Sequence, residues 1–196
     1  MGMGEPLHNF KGVTDAMIIL LDVHGLAIGP RKITVSSVGL VPAITKFGKL
    51  DTGINLAISL NATTDEVRSS IMPINKKFNL EILLDCLRSF PLRAKKKITI
   101  EYVMLAGVND SEADLKRLPK LLKNIPAKVN LIPYNNNADL GFKTPSRKKV
   151  LSWNQDLIAL GINSTIRWSK GEDINAACGQ LHASAKANNA EALVQL

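Results

Sequence analysis

Cys178 stands in Asp173-Ile174-Asn175-Ala176-Ala177-Cys178-Gly179-Gln180-Leu181, where small neighbours leave the thiol room to meet a second large group. A thiolate is a nucleophile, but free cysteine is also among the most buried residue types, so this stretch alone fits both a reactive group and a small core hydrophobe. The other cysteine, Cys86, falls in a helical leucine pattern and reads as core packing. The chain opens on Met1-Gly2-Met3-Gly4-Glu5-Pro6, read as the cut end of a buried strand and the loop behind it. There, backbone and the Glu5 carboxylate can approach an ammonium group, although a simple turn explains the same residues. Ser59 and Asn61, two apart at a strand end, project to one side of the pleat. They can bind ribose or carboxylate groups, or cap the helix that follows. His8, His24 and His182 have no metal-ligand spacing with each other or with the cysteines, so no metal site is expected. There is neither a phosphate-loop nor a dinucleotide glycine pattern.

Positioning such groups takes a core, and 196 residues of which 45% are hydrophobic suffice for one domain and argue against disorder. The longest apolar stretches, 16–21 and 54–60, are far short of the ~20 residues of a membrane span. No basic leader is visible at the N-terminus, and two cysteines make no disulfide framework, so the expected location is the cytoplasm. The net charge of +8 gathers in runs at 93–97, 143–149 and Lys76-Lys77. Such an excess attracts polyanions, RNA among them; the alternative is a set of solvated faces.

Strand-like runs at 32–36, 54–60, 98–104, 128–133 and 162–168 alternate with helical patterns at 13–22, 64–72, 80–89, 114–123 and 145–160. The run 54–60 is nearly all apolar, as expected of a strand covered on both faces. Thr64 and Ser111 are expected N-caps, Gly161 a helix stop, and Leu80, Leu83, Leu84 and Leu87 one helix face. This alternation means an α/β fold with a parallel sheet, too short for a closed eight-stranded barrel: a partial barrel or an open sheet. Ligands of such folds sit at the carboxyl ends of strands. The candidates are therefore Gly4-Glu5-Pro6, Ser36-Ser37, Ser59-Leu60-Asn61, Gly107-Val108-Asn109-Asp110 and Tyr134-Asn135-Asn136-Asn137. Residues 183–196 are expected to be a short helix or a tail.

Gly2-Met3-Gly4-Glu5-Pro6, Arg31-Lys32-Ile33-Thr34-Val35-Ser36-Ser37-Val38-Gly39, Asn55-Leu56-Ala57-Ile58-Ser59-Leu60-Asn61, Met72-Pro73-Ile74-Asn75, Glu101-Tyr102-Val103-Met104-Leu105, Gly107-Val108-Asn109-Asp110, Val129-Asn130-Leu131-Ile132-Pro133 and Ala176-Ala177-Cys178-Gly179-Gln180-Leu181 occur in this order. The series resembles the radical S-adenosylmethionine methyltransferases that methylate carbon 2 of adenine in 23S ribosomal RNA, and often in transfer RNA. The resemblance implies a partial (β/α) barrel of the radical S-adenosylmethionine type, truncated at its N-terminus, with residues 1–182 the C-terminal part of the catalytic domain and 183–196 a tail. By position, Gly4 and Glu5 would hold the methionine part of S-adenosylmethionine. Ser36, Ser59 and Asn135 would contact its polar groups, with Leu60 packed nearby. Asn61 stands where the family usually has histidine, and can still donate and accept hydrogen bonds. The segment after Asn135 also departs, with Asn136-Asn137-Ala138-Asp139 in place of the usual Pro-Phe-Pro. Cys178 would accept a methyl group.

A second S-adenosylmethionine, cleaved at a 4Fe-4S cluster, would then start radical addition to a carbon that is not nucleophilic; the cofactor supplies that chemistry and the protein supplies position. The family's three-cysteine cluster loop precedes Gly4-Glu5-Pro6, and Cys86 and Cys178 cannot replace it. The resemblance thus implies an RNA methyltransferase by family that is inactive as this chain alone. A non-catalytic basic RNA-binding remnant and another radical enzyme on the same barrel are the alternatives, and the oligomeric state is left open.

Overall fold

The computed structural model describes residues 4–135 and 141–168. Helices and strands alternate along them: α1 (Phe10–Leu21), β1 (Thr34–Ser37), α2 (Val41–Gly48), β2 (Asn55–Ser59), α3 (Asp65–Ile71), α4 (Leu80–Arg88), β3 (Ile98–Met104), α5 (Glu112–Leu121), β4 (Ala127–Pro133), α6 (Arg147–Ala159) and β5 (Ser164–Ile166). The five strands are all parallel and lie in chain order, β1 and β5 at the edges. Parallel neighbours need crossovers, and a helix fills each one.

The helices start where the sequence offers an oxygen to their first free N–H groups. Asn9 caps α1, Thr64 α3, Asn79 α4 and Ser146 α6, and Ser111 makes a reciprocal capping box with Asp114 at α5. α2 has no side-chain cap; Pro42 in its first turn is its one start signal, and the helix was not expected from the sequence. Its Ala43, Ile44 and Phe47 are nevertheless buried.

One apolar cluster joins Val35, Leu56, Ile58, Ile100, Tyr102, Val129 and Leu131 of the sheet to Phe47, Leu83, Leu87, Leu118, Trp153 and Leu157 of the helices. On β3 and β4 the partners Ile100↔Val129 and Tyr102↔Leu131 face this cluster, while Glu101↔Asn130 face the other way. The opposite face carries half-buried Ser36, Asn55, Ser59, Thr99 and Asn130. The expectation that β2 is covered on both faces holds at its middle, where Leu56, Ala57 and Ile58 are buried in succession. It fails at the ends, where Asn55 and Ser59 are half-buried on the face away from the cluster. Cys86 packs from α4 toward α2, its Sγ 3.5 Å from the Thr45 hydroxyl, in keeping with a packing role.

Candidate functional site

The polar residues of the open face reach the carboxyl ends of the strands, where a network of buried groups fixes the loops. Gly4 has φ +88°, a conformation that L side chains resist. It delivers Glu5 to the mouth of a 3-10 turn (Pro6–Asn9). The Glu5 carboxylate accepts from the N–H of Leu7 at 3.2 Å and from the N–H of Val38 at 2.8 Å, stitching the first loop to the end of β1. Each carboxylate oxygen keeps a further lone pair, so the group remains competent to receive an ammonium. Ser37 turns the chain after β1 by accepting from the N–H groups of Gly39 and Leu40. Ser36 points to the open side and is half-buried.

At the end of β2 the organising residue is Arg68, which the sequence reading did not single out. Its side chain is fully buried. The guanidinium donates to the carbonyls of Leu60 (3.0 Å), Val38 (2.7 Å) and Ser59 (3.3 Å), and to Asn75 Oδ1 (2.9 Å). One cation thereby holds the carboxyl ends of two adjacent strands. Burial pulls its pKa down to about 10, Asp65 opposing, so it stays charged at neutral pH. The only sequence signal was a basic residue on the inward side of a short helix.

Ser59 is half-buried at the strand end. Leu60 has its side chain in the core and its N–H on the Glu101 carbonyl, so it acts by shaping the loop. Asn61 has φ +58° and turns its side chain inward, accepting from the N–H of Val103 at 2.9 Å and donating toward the Met72 sulfur at 3.3 Å. Asparagine and histidine are both enriched at positive φ, so the backbone here suits either residue. Asn109, fully buried, receives the N–H of Leu105 and donates to the carbonyls of Asn61 and Val103, each at 2.7 Å. It is a brace between the loops after β2 and β3, with its side-chain capacity used internally. Asn135 lies two residues past the end of β4 and is half-buried.

Glu101 is the second residue that sequence reading passed over, although an acid inside the apolar strand Ile98–Met104 was a legible signal. It sits beside Ser59 on β2 and Asn130 on β4, on the open face, and is only 4% exposed. Its Oε1 lies 3.9 Å from the Arg167 guanidinium, and Oε2 has no hydrogen-bond partner among the described residues. Burial raises its pKa, the Arg167 charge opposing.

The structure thus brings Gly4, Glu5, Ser36, Ser59, Leu60, Asn61 and Asn135 to one edge of one sheet; Cys178 and the 183–196 segment lie outside the described residues. The hydroxyls of Ser36 and Ser59, the Glu5 carboxylate and the orphaned oxygen of Glu101 suit a ligand with an ammonium group and hydroxyls, as S-adenosylmethionine is. A 4Fe-4S cluster does not fit. Such clusters take cysteine thiolates, the chain has two cysteines, and no group of three His, Cys, Asp or Glu converges among the described residues.

The fold is that of the radical S-adenosylmethionine enzymes with a partial barrel. A radical SAM methyltransferase from Sphaerobacter thermophilus superposes with TM-score 0.87 at 40% identity, over 92% of this chain and 53% of that one. A domain of a pyruvate-formate lyase-activating enzyme from Bacteroides vulgatus shares the fold at TM-score 0.61 and 20% identity, over 84% of this chain and 95% of that one. Within the class, the chain is a homologue of the RlmN dual-specificity RNA methyltransferases. It is 52% identical over 181 residues to RlmN 2 of Myxococcus xanthus and 51% identical over 181 residues to RlmN of Geobacter sulfurreducens. These alignments take in 92% of the chain but 48% and 50% of the two relatives, so the chain spans about half their length. No protein-family profile matches it. No helix among the described residues is long and apolar enough to cross a membrane.

Proposed function

We propose that this chain supplies the S-adenosylmethionine-binding strand ends and the methyl-accepting thiol of an RNA adenine carbon-2 methyltransferase. The 52% identity to an RlmN relative is the observation that carries the reading. The gathering of the expected residues at one sheet edge supports it. Bound S-adenosylmethionine supplies an activated methyl group. Gly4 and Glu5 receive its amino-acid end, Glu5 being oriented by Leu7 and Val38. Ser36, Ser59 and Asn135 bind its polar groups, and Leu60 and Asn61 shape the loop that holds Ser59. Cys178 is the methyl-accepting thiol of this reading. Residues 1–182 form the catalytic part and 183–196 a tail. The substrate is 23S ribosomal RNA, with transfer RNA as a second, in the cytoplasm. Cluster-dependent chemistry on adenine needs thiolates beyond the two present, so the chain by itself is inactive on RNA.

Titration calorimetry with S-adenosylmethionine tests the reading. Binding that weakens about tenfold in the Ser36→Ala/Ser59→Ala variant is expected, as for loss of one or two hydrogen bonds to a ligand. Absence of binding overturns it. The cysteine count favours a second reading, a basic RNA-binding module without catalysis, in which RNA binds and S-adenosylmethionine does not.

A further inference from the structure

Six of the chain's 25 lysines and arginines gather at the amino ends of the strands, opposite Ser36 and Ser59. A cleft of about 720 Å³ there is lined by Arg31, Arg93, Lys95, Lys96, Lys97 and Lys128, and by no aspartate or glutamate. These residues come from the turn before β1, the loop before β3 and the second position of β4. The neutral wall includes Thr34 and Asn55, the first residues of β1 and β2, which fixes the cleft at the amino ends of the strands.

Part of the charge is built into the floor. Arg93 Nε pairs with Asp51 Oδ1 at 3.0 Å. Its guanidinium lies against Gly53, where a Cβ would come within 2.6 Å of it. Lys96 Nζ donates to Asn55 Oδ1 at 3.0 Å and to the Gly53 carbonyl. Lys96 is crowded: burial lowers its pKa, and the Arg31 and Arg93 charges lower it further. Arg31, Lys95, Lys97 and Lys128 are exposed and form no ion pair with the described residues. The cleft therefore presents several unpaired point charges over a floor already positive, an arrangement that an anion relieves.

We propose that this cleft is a track for the phosphodiester backbone of RNA, a second contact surface remote from the carboxyl-end site. The proposal rests on RNA being the substrate. Acidic protein partners are disfavoured because protein interfaces centre on large apolar or aromatic anchors, and the lining has none. Lysines backed by threonine and asparagine instead match phosphate and sugar oxygens, contacts that position a nucleic acid without reading bases. Along β3 the two edges lie roughly 20 Å apart, at about 3.3 Å per residue. RNA held here gains affinity and orientation, and the chemistry stays at the other edge.

The test is fluorescence anisotropy of the 196-residue chain with a labelled RNA hairpin across a salt series. Lys95→Gln/Lys97→Gln/Lys128→Gln is compared with Lys46→Gln/Lys120→Gln/Lys123→Gln, which removes the same charge from the helical side. The cleft variant is expected to lose about tenfold or more in affinity and to flatten the log–log salt slope by about two to three units, whereas the control stays within about twofold. S-adenosylmethionine binding and the melting curve are expected to stay unchanged in both. Lys128→Gln alone is expected to reduce the slope by about one unit. Equal losses in cleft and control variants mean diffuse attraction and overturn the track, as does no loss in either. Displacement of RNA by polyglutamate at equal charge assigns the cleft to acidic protein and overturns it too. If the unmodified chain binds no RNA at any salt, the RNA reading itself falls, and the track with it.

Discussion

Arg68 Nε donates to the Leu60 carbonyl at 3.0 Å, inside a protein layer where the arginine is fully buried. The same guanidinium reaches the Val38 and Ser59 carbonyls, so the ends of β1 and β2 are spaced by one planar fork. The pairing of β1 with β2 sets the register of Ser36 and Ser59, and Arg68 ties together the loops just beyond them. A lysine places a point charge where the fork made four bonds. Arg68→Ala leaves several buried carbonyls without donors, at a cost of about 4 kcal/mol or more. Arg68→Lys is expected to cost roughly half of that. Urea unfolding measures both, and calorimetry should show S-adenosylmethionine affinity falling in the lysine variant while it remains folded. A lysine variant as stable and as tight-binding as the parent would remove Arg68 from the positioning role.

Gly39 is tied to the same arginine. Its φ is +109°, and a Cβ there would stand 3.1 Å from one Arg68 Nη and 3.3 Å from a Leu83 methyl. Gly39→Ala thus meets both backbone strain and a group that cannot yield without breaking the Val38 contact. A loss of about 1–3 kcal/mol is expected in urea unfolding. Alanine tolerated within a few tenths would mean the loop relaxes freely and Arg68 is less constrained than its hydrogen bonds indicate.

Asn61 separates backbone shape from side-chain bonding. At φ +58° alanine is strained, and it also loses the acceptor for the Val103 N–H. Asn61→Ala is expected to cost about 2 kcal/mol, and Asn61→Gly about 1 kcal/mol because glycine keeps the conformation. Asn61→His is expected to lie closer to the parent than alanine does, since histidine also accepts positive φ. Thermal melts of the three variants give the order. Alanine equal to glycine would show that the conformation contributes nothing.

Much of this arrangement was legible in the chain because local chemistry and tertiary structure agree. The capped helices α3, α4 and α5, and the strand Ile98–Met104, fall where caps and apolar runs place them. The strand-end candidates followed from alternation alone, because a parallel sheet puts its loops at one edge. Three things were not legible. α2 lacks a cap and is held by burial of Ile44 and Phe47 against the rest of the fold, which is information from distant residues. Arg68 was not singled out, because nothing local says that three carbonyls converge on it. The basic cleft joins residues from before β1, before β3 and in β4, and only parallel pairing of the strands brings those positions together.

Two buried carboxyls set opposite pH dependences. At Asp114 burial opposes ionisation, but hydrogen bonds from Ser111, Thr63 and Arg117 outweigh it and hold the carboxyl below the usual range. A depressed folded-state pKa gives stability that is present above the unfolded value and is lost as pH falls through the folded one. Asp114→Asn should therefore destabilise at neutral pH and converge toward the parent in acid. Glu101 has the reverse sign. Burial raises its pKa in the folded state, with Arg167 only partly offsetting, so the folded chain prefers the protonated form. That contribution is full below the unfolded value, near pH 4, and is lost as pH rises through the folded one. Glu101→Gln keeps the shape without the charge. It should melt close to the parent near pH 4 and above it at pH 7, flattening the alkaline side of the profile. Melting curves from about pH 4 to pH 8 decide the matter. A glutamine variant that melts below the parent at pH 7 would show that the open face uses Glu101 as a carboxylate, with its charge met by a group beyond Arg167.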